Sequence, residues 1–201
     1  MEMMSWYTAD EHLNHSNIRT LFVFRDFPTT AAMNAELIRR HNERVKPGHT
    51  CYHLGDFKVS TDGPTTHELI GMLNGNHVFI RGNHDKNNGL NTPLRFACIN
   101  SYGRNIVLAH KPDDADFLMG LLGIDLGFCG HIHQHWKFKR VEYGDLVNVG
   151  VDVWDYYPID AKQIMKALKG WIREGRPVVA SGQPDEAQAV QGSESGTEVK
   201  E

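Results

Sequence analysis

Short apolar runs alternate with stretches of helical periodicity along the first half of this chain. A run of four to eight residues rich in β-branched and aromatic side chains is typical of a strand, whereas apolar residues three and four apart are typical of a helix. The pattern predicts a strand over 4–8, a helix over 28–45, a strand over 50–54, a helix over 65–73 and a strand over 77–81. This order is typical of a right-handed parallel α/β unit.

The second half of the chain has a more antiparallel character, because two of its short strands flank a turn at Tyr143-Gly144-Asp145. The pattern predicts strands over 105–109, 125–129, 137–142 and 146–149, and helices over 113–122 and 160–174. From about residue 181 the sequence contains mostly Gly, Ser, Gln and Glu, which bury too little surface to offset the entropy lost on ordering. We therefore expect one domain over 1–180 and a disordered tail over 181–201.

Polar residues with metal-binding or proton-transfer chemistry follow, or nearly follow, several of the predicted strands. They lie in five segments: Asp10-Glu11-His12, Gly55-Asp56, Gly82-Asn83-His84-Asp85, His110 and Gly130-His131-Ile132-His133. The carboxyl ends of the strands of an α/β sheet lie at one edge, so these side chains should converge. Asp, His and Asn without Cys suit a hard or borderline divalent metal such as Mn, Fe, Zn or Ni.

Each segment taken alone would be weak evidence. An isolated Gly-Asp is usually a turn, and a single histidine in an apolar strand is usually a core residue. The five segments occur together and in order, each next to a predicted strand, and this combination favours a metal site.

Composition and charge narrow the class of protein. The chain has 201 residues, 40% of them hydrophobic and 23% charged, which is ordinary for a globular domain. A net charge of -4 argues against stable binding to nucleic acid. We expect a cytoplasmic protein, because no secretory signal or membrane-length apolar run is present and Cys51, Cys98 and Cys129 read as reduced core thiols.

The ordered motifs resemble those of the calcineurin-like metallophosphoesterase superfamily, over about residues 6–160. The segments 7–12, 14–18, 52–56 and 148–154 more narrowly resemble a small bacterial and phage branch known only as phosphoesterases. The resemblance implies an α/β fold of four layers, α/β/β/α, with the active site at the strand ends.

The resemblance also implies a centre of two divalent metal ions, for which we favour Mn. The first metal would be held by Asp10, His12, Asp56 and His133, and the second by Asp56, Asn83, His110 and His131. The Asp56 carboxylate would bridge the two ions, since its two oxygens can each bind one. The neutral Asn83 would limit negative charge where an anionic phosphate must enter.

The implied chemistry is phosphate-ester hydrolysis by a hydroxide that bridges the metals. We predict that His84 is the catalytic acid for the leaving oxygen and that Asp85 orients its ring. The alternative for His84 is a turn residue, and for Asp85 a helix cap.

Four further residues could contact the substrate phosphate, namely His15, Asn17, Arg25 and Lys111. A capping role is as plausible for His15, and a solvated surface role is the default for Arg25 and Lys111. His53 reads as core, or as support for the metal site, and His41 and His77 read as surface or turn residues.

Three functions fit these observations. The first is a phosphodiesterase for small or nucleotide-like substrates, including cyclic nucleotides, with an open site because the loops leave no room for a cap domain. The second is a nuclease acting on polymers, which the lack of a basic stripe argues against. The third is a non-catalytic scaffold, a role that the same fold has in a retromer subunit, although the complete ligand set argues against it.

Overall fold

Two β-sheets packed face to face form the centre of the molecule, for which the computed structural model describes residues 4–21 and 25–177. The first sheet has the order β3-β2-β1-β9 and consists of β1 (Ser5–Thr8), β2 (Thr50–His53), β3 (Asn76–Phe79) and β9 (Ile159–Asp160). β1, β2 and β3 are parallel to one another, and β9 is antiparallel to β1. The predicted parallel unit is therefore present in the first half of the chain.

The second sheet has the order β4-β5-β6-β8-β7. Its strands are β4 (Phe96–Ser101), β5 (Arg104–Ala109), β6 (Leu126–Cys129), β7 (Phe138–Arg140) and β8 (Asp145–Asn148). β5, β6 and β8 are parallel, whereas β4 and β7 are antiparallel edge strands. The hairpin predicted around Tyr143-Gly144-Asp145 corresponds to the antiparallel pair of β7 and β8.

Helices pack on the outer faces of both sheets and, in the case of the last helix, against the core between them. They are α1 (Ile18–Leu21), α2 (Thr30–Arg44), α3 (Thr66–Gly71), α4 (Pro112–Leu122) and α5 (Ala161–Arg173), with one 3₁₀ turn at Val151–Val153. The Thr29 side chain caps α2 by accepting a hydrogen bond from the Ala32 amide, and Thr65 and Glu68 form a capping box at α3. Because these caps satisfy free amides, the sequence defines where both helices begin.

Alternate residues of β5 pack into two different layers of the fold. Ile106 and Leu108 lie in the core between the sheets with Tyr7 and Phe128. The intervening Val107 and Ala109 instead pack against Met119 of α4. The first sheet is covered in a similar way by a cluster that includes Met33 and Leu37 of α2 and Leu69 of α3. The layer order is helices, sheet, sheet, helix, which confirms the predicted fold class.

Two strands and one cysteine differ from the expectation. β4 and β9 were not predicted: β4 is an edge strand with an alternately exposed pattern, and β9 is only two residues long. Cys98 lies on β4 and is exposed, so the prediction of a core thiol is wrong for it, whereas Cys51 and Cys129 are buried. The predicted tail over 181–201 lies outside the described residues.

None of the helices in the described part of the chain is long and apolar enough to cross a membrane.

Candidate metal centre

The strand ends bring the predicted polar residues to one edge of the two sheets. Asp10 and His12 follow β1, and the extended chain there stays paired with the segment after β2, since the amides of Asp10 and His12 donate to the carbonyls of Gly55 and Asp56 at 3.0 and 2.9 Å. Within the second sheet, the segments after β5 and β6 are paired in the same way, because the Gly130 amide donates to the His110 carbonyl at 2.9 Å. Adjacent strand ends therefore deliver adjacent side chains.

Two groups of metal-ligating atoms lie at this edge, and Asp56 belongs to both. In the first group one atom each from Asp10, His12 and Asp56 lies within 4.8 Å of the others. In the second group the same holds for Asp56, His110 and His131. A carboxylate shared by two donor sets could bridge two ions, because it has two oxygens and a negative charge.

The remaining two predicted ligands lie beside these groups. The Asn83 Oδ1 is 2.9 Å from His110 Nε2, which places the amide next to the second group. The His133 ring lies 5.1 Å from the His12 ring, centroid to centroid, which places it next to the first. All seven residues predicted as ligands are thus brought together by the fold.

His12 fits a metal ligand better than a hydrogen-bonded core residue. Its Nε2 atom is buried without a hydrogen-bond partner among the described residues and lies 3.5 Å from Asp56 Oδ2. Burial lowers the pKa of His12 well below its ordinary value, so the ring is neutral and has a lone pair to offer. A buried nitrogen with a free lone pair is costly unless a ligand occupies it.

Charge coupling between Asp56 and His110 also fits a cation. Although burial alone would raise the pKa of Asp56, the hydrogen bond from His110 and its charge lower it below the ordinary value. Burial would likewise lower the pKa of His110, but the Asp56 carboxylate, 3.3 Å from Nε2, raises it to about 9. The protonated His110 therefore balances the charge of the ionised Asp56 in the metal-free protein, and a divalent cation would take over this role.

Five of the seven predicted ligands have strained backbone. Asp10, His12, Asp56, His131 and His133 have φ angles of 59°, 49°, 57°, 73° and 45°, in the left-handed region that non-glycine residues rarely adopt. Such conformations persist only where the surrounding structure holds them, and they concentrate at functional sites. The ligand geometry is thus built into the backbone.

Gly82 and Gly130 each precede a predicted ligand, and neither position has room for a side chain. A Cβ atom on Gly82 would lie 2.1 Å from Asp56 Oδ1, and one on Gly130 would lie 2.5 Å from the Ala9 Cβ. Both approaches are far too close for any side chain, so only glycine permits the neighbouring strand ends to meet.

His84 lies at the mouth of the centre with an exposed side chain. Its amide donates to Asp56 Oδ1 at 2.8 Å, and its ring lies 5.3 Å from the His12 ring. The backbone is therefore tied to the central carboxylate, while the ring remains open to an incoming molecule.

The structure gives Asp85 a different role from the one predicted. Its buried carboxylate accepts hydrogen bonds from the amides of Asp56, Phe57 and Gly82 at 2.7, 3.1 and 2.9 Å, and from the Asn88 side chain at 3.2 Å. Because its oxygens are used in this way, Asp85 fixes the loops after β2 and β3 and does not orient the His84 ring.

Arg25 is also placed differently from the prediction. It is fully buried, and it forms a two-point ion pair with Asp152, with Nε to Oδ1 at 2.7 Å and Nη2 to Oδ2 at 3.0 Å. The same guanidinium donates to the carbonyls of Asp10 and Glu11. It is therefore neither a surface residue nor available to a phosphate, because it holds the segment that carries Asp10 and His12.

Asp152 lies beside the centre, although no local pattern in the sequence assigns it a role there. Its Oδ2 lies 2.7 Å from His133 Nδ1, which directs the other ring nitrogen of His133 away from Asp152. Asp152 lies within the 148–154 motif quoted above, but only the ion pair with Arg25 reveals its role. The pair joins residues that are 127 positions apart in the chain, a distance over which no local pattern applies.

Asp152→Ala is expected to destabilise the metal-free protein by about 3–5 kcal/mol, because it leaves the buried Arg25 guanidinium without its counter-charge. Urea unfolding in the presence of a chelator measures this directly. Asp125→Ala is the matched control, since Asp125 pairs with Arg104 at the surface and its loss should cost at most about 1 kcal/mol. Equal losses in the two variants would contradict the structural role of Asp152.

The other three residues predicted to contact substrate differ in their burial and in their contacts. His15 is half-buried, its Nδ1 lies 3.3 Å from His12 Nδ1, and burial together with nearby His84 lowers its pKa to about 4. Lys111 directly follows His110 and occupies the N-cap position of α4. Asn17 is exposed, and its carbonyl accepts hydrogen bonds from Thr20, so it shapes the start of α1.

Comparison with known proteins identifies the class. Residues 9–154 match the model of the calcineurin-like phosphoesterase superfamily domain. An uncharacterized protein of Methanocaldococcus jannaschii is 33% identical over 168 residues, which cover 80% of this chain and 89% of that protein. The chain therefore belongs to the calcineurin-like phosphoesterase superfamily, as its motifs predicted, while the narrower branch remains a prediction.

Comparison with solved structures gives two matches to report. A protein of unknown function from Aquifex aeolicus has a TM-score of 0.67 and 24% identity, covering 83% of this chain and all of that one. An archaeal phosphodiesterase has a TM-score of 0.43 and 21% identity, covering 74% of this chain and 84% of that one.

Proposed function

We propose that this protein is a phosphodiesterase that uses two divalent metal ions to hydrolyse small or nucleotide-like phosphodiesters. The observation that carries the proposal is the sharing of Asp56 between two sets of ligand atoms. Membership of the superfamily supports phosphoester hydrolysis in general.

We assign Asp10, His12, Asp56 and His133 to the first ion, and Asp56, Asn83, His110 and His131 to the second. When bound, such ions lower the pKa of coordinated water and neutralise charge on the phosphate. The donors are carboxylate, imidazole and amide groups without sulfur, which favours manganese among hard or borderline metals.

The chain's own residues then divide the remaining work. Asp152 and Arg25 hold His133 and the backbone of the first metal-binding segment, so the ligands do not need to reorganise on binding. His84 has an exposed ring beside His12, which supports its role as the donor of a proton to the leaving oxygen. Asp85 maintains the position of His84 through the loop backbone.

Short substrates are favoured over polymers by charge. The net charge of -4 provides no general attraction for a nucleic-acid backbone. Of the predicted phosphate contacts, Lys111 next to His110, the half-buried His15 and the exposed Asn17 remain available to a phosphate oxygen.

A substrate panel tests the proposal. The protein is stripped with a chelator, reloaded separately with manganese, zinc, nickel or iron, and assayed with bis- and mono-p-nitrophenyl phosphate, cyclic nucleotides and single-stranded oligonucleotides. We expect metal-dependent turnover that is fastest with manganese and with small diesters. Preference for oligonucleotides would indicate a nuclease, and absence of turnover with every metal would indicate a scaffold.

A further inference from the structure

A second cluster of metal-ligating side chains lies between α2 and the first sheet, outside the centre described above. Cys51 and His53 point to the same face of β2 because they are two residues apart, and His77 lies beside Cys51 on the neighbouring strand β3. His41 of α2 packs onto this face, with its ring 5.8 Å from the His53 ring and 5.5 Å from the His77 ring. The sequence predicts His41 at the surface or in a turn, but it is buried.

The donor atoms of this cluster are close enough to share one ion. One atom each from His41, Cys51 and His53 lies within 4.8 Å of the others, and all three residues are buried. His77 Nδ1 lies 3.0 Å from His53 Nε2, near the roughly 3.4 Å expected for two nitrogens bound to one tetrahedral ion at about 2.05 Å. We propose that His41, Cys51 and His53, with His77 as the fourth donor, form a separate mononuclear site for a zinc-like ion.

The protonation of the rings suits this role. Burial lowers the pKa of His41 and His53 to about 3 and that of His77 to about 4, so all three are neutral imidazoles near pH 7. His41 Nε2 lies 3.0 Å from the Asn74 carbonyl, to which it donates, and this leaves a lone pair on Nδ1. One nitrogen of His41 is therefore held ready to bind a metal.

His53 has the partner that metal-binding histidines usually have. Its Nδ1 lies 2.5 Å from the carboxylate of the buried Glu11. If Nε2 binds a metal, the ring proton must be on Nδ1, and there the Glu11 carboxylate accepts it. Glu11 stands between Asp10 and His12 in the chain, so the same residue joins the backbone of the dinuclear centre to the second cluster.

Cys51 distinguishes the second cluster chemically from the first centre. Its thiol is completely buried, which raises its pKa well above the ordinary value, so an ion must displace a proton to bind. Thiolate with imidazole is the donor set of tetrahedral zinc, whereas the dinuclear centre has no sulfur. His41 also borders a cavity of about 20 Å³, which gives its ring space to adjust.

Cobalt(II) is the probe that separates the two sites. It replaces zinc and gives a near-ultraviolet charge-transfer band only when a thiolate binds it, so the dinuclear centre cannot produce this band. The full chain is stripped with a chelator under reducing conditions and titrated with cobalt. We expect the band in the wild type, and Cys51→Ser should abolish it and lower the zinc bound at saturation by one ion per chain.

Matched variants make the test specific. Cys129→Ser removes the other buried thiol, and Cys98→Ser removes the exposed one, and both should retain the band. His41→Ala should raise the cobalt concentration at half-saturation of the band by at least about 10-fold. That is the smallest loss of affinity typical when a residue that merely supports a metal ligand is removed. The substitution does so without removing the thiol, and it therefore replaces Cys51→Ser if that variant does not fold.

Three outcomes would overturn the proposal. They are a wild type without the band at excess cobalt, a band that persists in Cys51→Ser, and a cobalt titration that is unchanged in His41→Ala. Phosphodiesterase activity is not the readout, so a failure here leaves the proposed function standing, and an inactive protein could still show the band.

Discussion

Asp56→Asn is expected to reduce phosphodiester hydrolysis by more than about 100-fold, the upper end of the effect of residues that only support a ligand. Asp56 contributes to both donor groups, and its Oδ2 lies within 3.5 Å of both His12 and His110. An asparagine has no negative charge, and its NH₂ group, which donates and cannot bind a cation, would replace one of the two carboxylate oxygens. The measurement is turnover of bis-p-nitrophenyl phosphate over a range of manganese concentrations.

The same substitution should leave the metal-free fold intact. Asp56 Oδ1 accepts a hydrogen bond from the His84 amide, and an asparagine oxygen can accept it too. Metal at 100 times its dissociation constant stabilises a protein by about 2.7 kcal/mol. The melting temperature of the wild type should therefore rise by roughly 5–10 °C with manganese, and that of the variant should rise much less.

Asp62→Asn is the control, because Asp62 is an exposed acid in the loop after the same strand. It should keep both the turnover and the rise in melting temperature. If Asp56→Asn were to retain activity within a few-fold of the wild type, the assignment of Asp56 as the bridging ligand would be wrong.

The sequence predicts which side chains meet at the strand ends, because the pattern that carries this prediction is local. Each metal-binding segment directly follows a strand that periodicity can recognise, and parallel strands end at a common edge. Gly82 and Gly130 supply a further local signal, since a side chain at either position would collide with the neighbouring segment. The fold class followed from the same pattern of strands and helices.

What the sequence could not show depends on contacts between distant segments. From sequence alone an arginine such as Arg25 is expected at the surface. Only its ion pair with Asp152, far away in the chain, explains its burial. Asp85 stands next to His84 in sequence, yet its carboxylate turns to the amides of the β2 loop. His41 reads as one polar residue on an amphipathic helix, and its partners on β2 and β3 appear only after packing.

His84 offers the second large effect, because it separates chemistry from metal binding. His84→Ala should retain both metal ions, since the exposed ring is absent from the two donor groups and the amide that binds Asp56 is unchanged. It should lower kcat by about 10²–10⁴-fold for a diester with an alkoxide leaving group, the usual contribution of a positioned general acid. His67→Ala is the control, since His67 is an exposed histidine on α3.

A comparison of two leaving groups reveals the role of His84. A p-nitrophenolate departs without a proton, so loss of a general acid should slow its release far less than the release of an alkoxide. Turnover of both substrates by the same variant, together with its metal content, distinguishes the possibilities. An equal loss for the two leaving groups would mean that His84 stabilises the phosphate, since that contribution does not depend on the leaving oxygen. A fall in metal content would instead place His84 among the residues that hold the ions, and the division between ligands and catalytic residue would have to be redrawn.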